Sequence, residues 1–340
     1  MYKIVHTGFD SLDVSFMGAL PRETLTKLAE EKKKAQNTKQ DRYVEFGKRP
    51  FKGMLKSHGM SGGYTYVLTD SPTGAIYSIK DSTDIKDWNI AISVRALGLL
   101  TRGYDATREW IFETLDAMGC TIVDHSIRRL DFAVDILSPG FSLDPNAFVA
   151  PARAKIRQVW ENGHPLDDFG DKPSAVLRGR NFESVTIGKM PGRQLIAYDK
   201  RRAAIDLQTP WWFDVWGIDK DVPEANIHRI EVRAGRDALA KRLIKRRFSM
   251  VEADIGRFIT ATLEAIRYVT DKEAHKNVTR STLHPIWELA QEAAQSIPFD
   301  SVPVLLESHA LEIIRHQRQE MSIKQGFGNL INATGNNPFF

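Results

Sequence analysis

Three short stretches alternate apolar and polar side chains with period two, which is the pattern of a β-strand with one face in a core and one face outside it. They are residues 129–135 (Arg-Leu-Asp-Phe-Ala-Val-Asp), 194–200 (Gln-Leu-Ile-Ala-Tyr-Asp-Lys) and 228–233 (His-Arg-Ile-Glu-Val-Arg). In the first, Leu130, Phe132 and Val134 share one face and Arg129, Asp131 and Asp135 the other. In the third, Ile230 and Val232 oppose Arg229, Glu231 and Arg233. Such strands either cover one solvated side of an antiparallel sheet or bring carboxylates, arginines and a tyrosine onto one catalytic surface. Clustered ionisable groups favour the second reading.

The flanking sequence supplies the rest of an α+β fold, an antiparallel sheet with flanking helices and a helical C-terminal region. Residues 9–16 read as a strand through Leu12, Val14 and Phe16, and Pro21 opens a helix. Residues 64–68, 76–79 and 88–94 read as strands joined by short turns, so they pair antiparallel. A helix is expected over 105–118, with Asp105 as its N-cap, Ile111, Leu115 and Met118 on one stripe, and Gly119 ending it. A second is expected over 145–160, displaying Arg153, Lys155 and Arg157, and 163–173 reads as a polar loop. Strands over 175–180, 184–189 and 193–199 then form a meander that ends on Tyr198.

Further on, residues 211–216 hold three tryptophans and a phenylalanine, which either stack unpaired bases or plug the core and dock the C-terminal helices. Residues 237–248 read as a helix carrying Lys241, Arg242, Lys245, Arg246 and Arg247, a phosphate contact or a solvated face. Helices follow over 251–269, 283–296 and 304–321, and the Gly- and Asn-containing tail from 326 reads as irregular. The expected division is an α+β domain over 1–250, a helical region over 251–325 and a tail over 326–340.

A chain of 340 residues, 42% hydrophobic, can bury a sizeable core. Its formal net charge of +4 is too small to name a partner, so local clusters must do so. Cys120 is its single cysteine, which excludes an intrachain disulfide and a cysteine-rich zinc site. No apolar run of membrane-spanning length and no signal-peptide pattern stands out, so a cytoplasmic protein is expected.

The order Arg-x-Asp-x-x-x-Asp, then an Ile-Gly strand followed by Tyr-Asp-Lys, then Arg-x-Glu-x-Arg resembles the plasmid and phage replication-initiation factors of the Rep_trans type, over about residues 85–250. The resemblance implies an enzyme of a bacterial host cell that nicks one DNA strand through a tyrosine and starts rolling-circle replication. Its partner would be origin DNA, single-stranded at the nick, with room for a host helicase and for a homodimer. Tyr198 is then the expected nucleophile, since a phosphotyrosine conserves the energy of the broken bond. Lys200, Arg129, Arg229 and Arg233 would lower its pKa or stabilise charge on the phosphoryl oxygens. The histidines offer no His-x-His pair, so Asp131, Asp135 and Glu231 are the expected oxygen ligands for Mg2+ or Mn2+. His228 alternates to the side opposite Glu231 and is left out. A relaxase-like mobilisation protein would share the nicking step, and a non-catalytic DNA-binding module would leave the tyrosine inert. A tyrosine recombinase fits less well, because Tyr198 sits mid-chain between strands.

Overall fold

The computed structural model describes residues 1–47, 51–151, 158–159, 175–178, 181–222, 225–271, 280–300 and 302–335. Strand β1 (Lys3–Ala19) extends well beyond the expected 9–16 and is followed by helix α1 (Arg22–Thr38). Pro21, at φ −57°, precedes the first helical residue, where a proline is preset for a helix. A meander follows: β2 (Arg42–Phe46), β3 (Phe51–Leu55), β4 (Tyr66–Thr69), β5 (Ala75–Ile79) and β6 (Trp88–Arg95). Helices α2 (Ala96–Arg102) and α3 (Tyr104–Ala117) lead to β7 (Thr121–Leu137). Asp105 lies in the first turn of α3, and Gly103 takes the cap position instead. Gly119, at φ +73°, lets the chain turn out of the helix in a conformation that other residues adopt only with strain.

The second half runs β8 (Phe148–Val149), β9 (Gln158–Val159), β10 (Ala175–Arg178), β11 (Asn181–Gly188) and β12 (Arg193–Asp199). Over the described residues of 145–160 the expected helix is not formed: a 3-10 turn at Pro145–Ala147 passes directly into β8, and residues 158 and 159 are the strand β9. Arg153, Lys155 and Arg157, and the loop over 163–173, lie outside the described residues. Helices α4 (Lys200–Asp206) and α5 (Trp211–Trp216) precede β13 (Ile227–Gly235), and α6 (Arg236–Ala240) follows it. The chain ends in α7 (Phe248–Ala265), β14 (Arg267–Tyr268), α8 (Pro285–Ala293) and α9 (Glu307–Gly335). Helix α9 therefore continues through the segment from 326 that reads as irregular.

The basic helix over 237–248 is also not formed: α6 stops at Ala240, and 241–247 crosses to α7 without helix. Like charges four apart, Lys241 with Lys245 and Arg242 with Arg246, disfavour a helix there. The backbone is instead tied to β7, where Ile127 N–H donates to the Arg246 carbonyl at 2.7 Å.

The strands form one sheet in the order β2-β3-β4-β5-β6-β1-β7-β13-β12-β11-β10-β9, and β8 pairs with β14 apart from it. All neighbours are antiparallel except β9 and β10. Leu12, Val14, Phe16, Leu130, Phe132, Val134, Ile230 and Val232 point to one face and form a single core with side chains of α1, α3, α7 and α8. A second cluster joins α2, α4 and α5 to Ile227, Leu305 and Ala310 over part of the other face. Helices therefore flank both sides of the sheet.

Candidate active site

Four central strands build the site, because residues paired across an antiparallel ladder point to the same face. Tyr198 on β12 pairs with Arg229 on β13, which pairs with Asp135 on β7. Two steps along, Glu231 lies beside Ala133, and two further, Arg233 lies between Gln194 and Asp131. The three alternating stretches thus share one face. The fourth strand, β1, was not expected to contribute, and it does so through a bulge. Phe9 pairs with Phe132 and Ser11 with Asp131, so Asp10 is an extra residue. A bulge re-aims the side chain it inserts, and the Asp10 carboxylate accepts a close hydrogen bond from Arg229 Nη1.

Arg229 is fully buried. Its Nε donates to Asp135 Oδ1 at 2.6 Å and its Nη2 to Asp135 Oδ2 at 2.8 Å, a bidentate pair. Trp216 Nε1 donates to the same Oδ2 at 2.8 Å, and the Trp212 ring stacks over the guanidinium, 4.2 Å from its centroid. Burial alone would raise the Asp135 carboxyl, but Arg229 outweighs it and holds the group below the usual range. Asp10 follows the same balance: burial raises it, and Arg229, Lys200 and Arg233 bring it down to about 2.

A second network surrounds the tyrosine. The Tyr198 hydroxyl lies 3.4 Å from Glu231 Oε2, and Glu231 Oε1 accepts from Arg233 Nε at 2.7 Å. Asp131 Oδ2 accepts from Arg129 Nε at 2.7 Å. Burial raises the Asp131 carboxyl more than Arg129 and Arg233 lower it, leaving it at about 7. Tyr198 is 7% exposed, and burial pushes its phenol well above 10, against the pull of Arg229. Burial, then Arg229, lower the Lys200 ammonium to about 8.

Lys200 is not on the strand as expected but opens α4, where Asp199 caps the helix by accepting from Arg202 N–H at 2.8 Å. It still reaches the site, its amine 4.4 Å from the Trp212 ring centroid and 5.7 Å from that of Tyr198. Trp212 and Trp216 of α5 are buried, with Trp211 partly so, and they pack in one cluster with Leu305 of the C-terminal region, while Trp212 and Trp216 roof the Arg229 end of the polar face. His6, opposite Asp135 and edge-on to Trp212, also escaped the sequence reading, and burial lowers its imidazole to about 4. His228 sits on the opposite face, its Nδ1 2.8 Å from Ser138 Oγ.

The three carboxylates expected to hold Mg2+ or Mn2+ do not fit one ion. Asp131 and Asp135 are four residues apart on β7, about 13 Å at strand rise, and both oxygens of Asp135 are already bonded. Glu231 Oε1 is held by Arg233, and of these side chains only Asp131 has an oxygen, Oδ1, that is buried with no hydrogen bond. Among the described residues, no three His, Cys, Asp or Glu side chains are grouped to bind a metal.

Of the five basic residues expected at DNA, three are engaged with partners inside the protein. Arg242 pairs with Asp254 at 2.5 Å, Arg247 with Asp124 at 2.7 Å, and Arg246 donates to Ser126 Oγ at 3.0 Å. Lys241 and Lys245 are exposed.

Compared with solved structures, the chain is similar to a rolling circle replication initiator protein from Geobacillus stearothermophilus. The two share 16% sequence identity at a TM-score of 0.44, over 87% of this chain and 98% of that one. No family model matches the sequence, and no curated protein matches it. Among the described residues, no helix is long and apolar enough to cross a membrane.

Proposed function

We propose that this protein nicks and transfers one strand of origin DNA through a phosphotyrosine at Tyr198, as the initiator of rolling-circle replication. The observation that carries the reading is the Tyr198 hydroxyl, 3.4 Å from the Glu231 carboxylate, on a sheet face that also holds Arg129, Arg229 and Arg233, with Lys200 reaching in from α4. Glu231 is placed to take the phenolic proton as the tyrosine oxygen attacks phosphorus. One phosphodiester bond breaks, one tyrosyl–phosphate bond forms, and the leaving sugar oxygen acquires a proton. Arg233, the partly exposed one, offers fixed positive charge to a developing phosphoryl oxyanion, while Arg229, buried and held by Asp135 and Asp10, acts only through its field. Burial, and with it the neighbouring Glu231 charge, raise the phenol against the pull of Arg229, so almost no tyrosinate stands ready near neutral pH and the proton must pass to a base as the new bond forms.

A specific observation favours a second reading. Tyr198 is nearly buried, and the surrounding carboxylates are paired with arginines, as in a network that only holds a sheet together. Tyr198→Phe separates the two, since it removes one oxygen and almost no volume. Incubated with a supercoiled plasmid carrying the protein's own locus, the parent should give nicked circles with protein attached, and Tyr198→Phe should give neither while still binding DNA. A variant that nicks and attaches normally places the nucleophile elsewhere.

A further inference from the structure

We infer that the end of the polar face remote from Tyr198, built by Arg128, Arg236 and Arg246, is the track on which the phosphate backbone of the DNA strand lies. The inference rests on the nicking reading and extends it to the path of the substrate. Its first support is a bulge. Asp13 pairs with Arg129 and Val14 with Ile127, so Arg128 is the extra residue, and its side chain is exposed. The bulge also resets the alternation: Ile127 is buried in the core, so Ser126 falls on the polar face with Arg129 and Asp131.

Arg246 is anchored on that face, its Nε on Ser126 Oγ at 3.0 Å and its Nη1 on the Arg236 carbonyl at 3.1 Å. Gly235 pairs with Arg129, which sets Arg236 beside the same end of β7. Three guanidinium groups therefore crowd one sheet end. Apart from Asp237, which accepts from Arg236 Nε at 3.1 Å, no carboxylate pairs with any of the three among the described residues. Burial first, and then the charge of Arg236, make the Arg246 guanidinium easier to deprotonate than usual; Asp237 opposes this and Arg128 adds a smaller push in the same direction as Arg236. A set of cations that repel one another on a folded surface is stabilised by an anion, and a polyphosphate backbone supplies several in a row. Nearby, Arg247 spends its charge on Asp124 and Lys245 is exposed.

The spacing suits a strand that reaches the tyrosine. From Arg229, beside Tyr198, to Gly235 is six residues of β13, about 20 Å at strand rise. At 3.4 Å per phosphate along one strand of a duplex, that is roughly six nucleotides. Exposure rises along the way, from fully buried Arg229 through partly buried Arg233 to exposed Arg236.

The test is binding of a fluorescein-labelled single-stranded oligonucleotide, followed by anisotropy across a salt series. The double variant Arg128→Gln, Arg236→Gln should melt like the parent and flatten the slope of log affinity against log salt by about 1.4, two contacts at roughly 0.7 each for a single strand. Lys33→Gln with Arg257→Gln, exposed cations on helices packed against the other face, should leave the slope unchanged. An unmoved slope in the Arg128/Arg236 variant, or an equal loss in the Lys33/Arg257 variant, overturns the track. Tyr198→Phe should keep the parent slope, so the two readings fail separately. A covalent adduct at another tyrosine ends the Tyr198 assignment, whereas an intact Tyr198 adduct with an unmoved slope ends the track alone.

Discussion

Arg229 is a charge with no water around it, and such a charge is tolerated only when fully paired. Asp135 grips it bidentately, Asp10 takes the remaining edge, and Trp212 covers its face. Lysine keeps the charge but cannot make the fork or the stack. Arg229→Lys should therefore destabilise the fold by about 3–5 kcal/mol, read by urea denaturation, and an unchanged midpoint would show that the pairing contributes nothing. Asp131 makes the opposite case, because its burial wins over its arginines. Its carboxyl sits at about 7 when folded, above the ordinary 3.8 of the unfolded chain. The folded state then holds a proton that the unfolded state releases, so this contribution to stability is complete below pH 3.8 and lost as pH rises through 7. An asparagine amide does not titrate, so the stability of the parent relative to Asp131→Asn should fall between about pH 4 and 7 by a few kcal/mol at most, on the order of 1.4 per unit, while His6 and His228, both lowered to about 4, add an opposite rise that parent and variant share. Asp10, near 2 when folded, changes its contribution only below that window. Urea midpoints at about pH 4, 5.5 and 7 for parent and variant decide it, and parallel curves would refute the assignment.

Among the elements, strands with unbroken alternation were legible and devices that interrupt it were not. Leu130, Phe132 and Val134 face the core and Asp131 and Asp135 the site, as period two requires, and Tyr198, Arg229 and Glu231 join them by register. Asp10 was hidden because the bulge at Phe9/Ser11 breaks that period. Lys200 kept the parity of the strand, although Asp199 before Lys-Arg-Arg-Ala-Ala is an N-cap signal that points to a helix. The tryptophans of α5 were readable as buried, yet nothing local says which buried charge they would cover. Their role has a measurable part: Trp216 Nε1 is a donor to a buried carboxylate. Trp216→Phe keeps the ring against Trp212 and loses the donor, while Arg229 still holds Asp135. The expected cost is about 1.5–3 kcal/mol, the range for a hydrogen bond to a charged group. A loss below about 0.5 kcal/mol on chemical denaturation would mean that the roof is held by apolar packing alone.

At the scale of the whole molecule, β1 lies in the middle of the sheet, paired along its length with β7 on one side and, from Ser11 to Met17, with β6 on the other. The polar face therefore depends on contacts far apart in sequence, and so does the apolar one. Phe248, Val251, Ile255 and Ile259 of α7 and Ile286, Trp287 and Ala290 of α8 share one core with Phe9, Phe132 and Val232 of the sheet. Trp287 is 1% exposed and donates through Nε1 to the Leu263 carbonyl at 3.0 Å, fastening α8 to α7 beneath the strands. A sheet whose apolar side is closed by these helices should not unfold apart from them. Trp287→Ala opens a cavity in that shared core and should cost about 3–5 kcal/mol. Melting followed by far-UV circular dichroism and by tryptophan fluorescence should move together in the variant, as one transition. Hydrogen exchange should rise in the β7 amides as well as in α7 and α8, because the strand is protected only while the helices are seated. If exchange rose in the helices alone, or if two transitions separated, the region from residue 251 would be folding as a domain of its own.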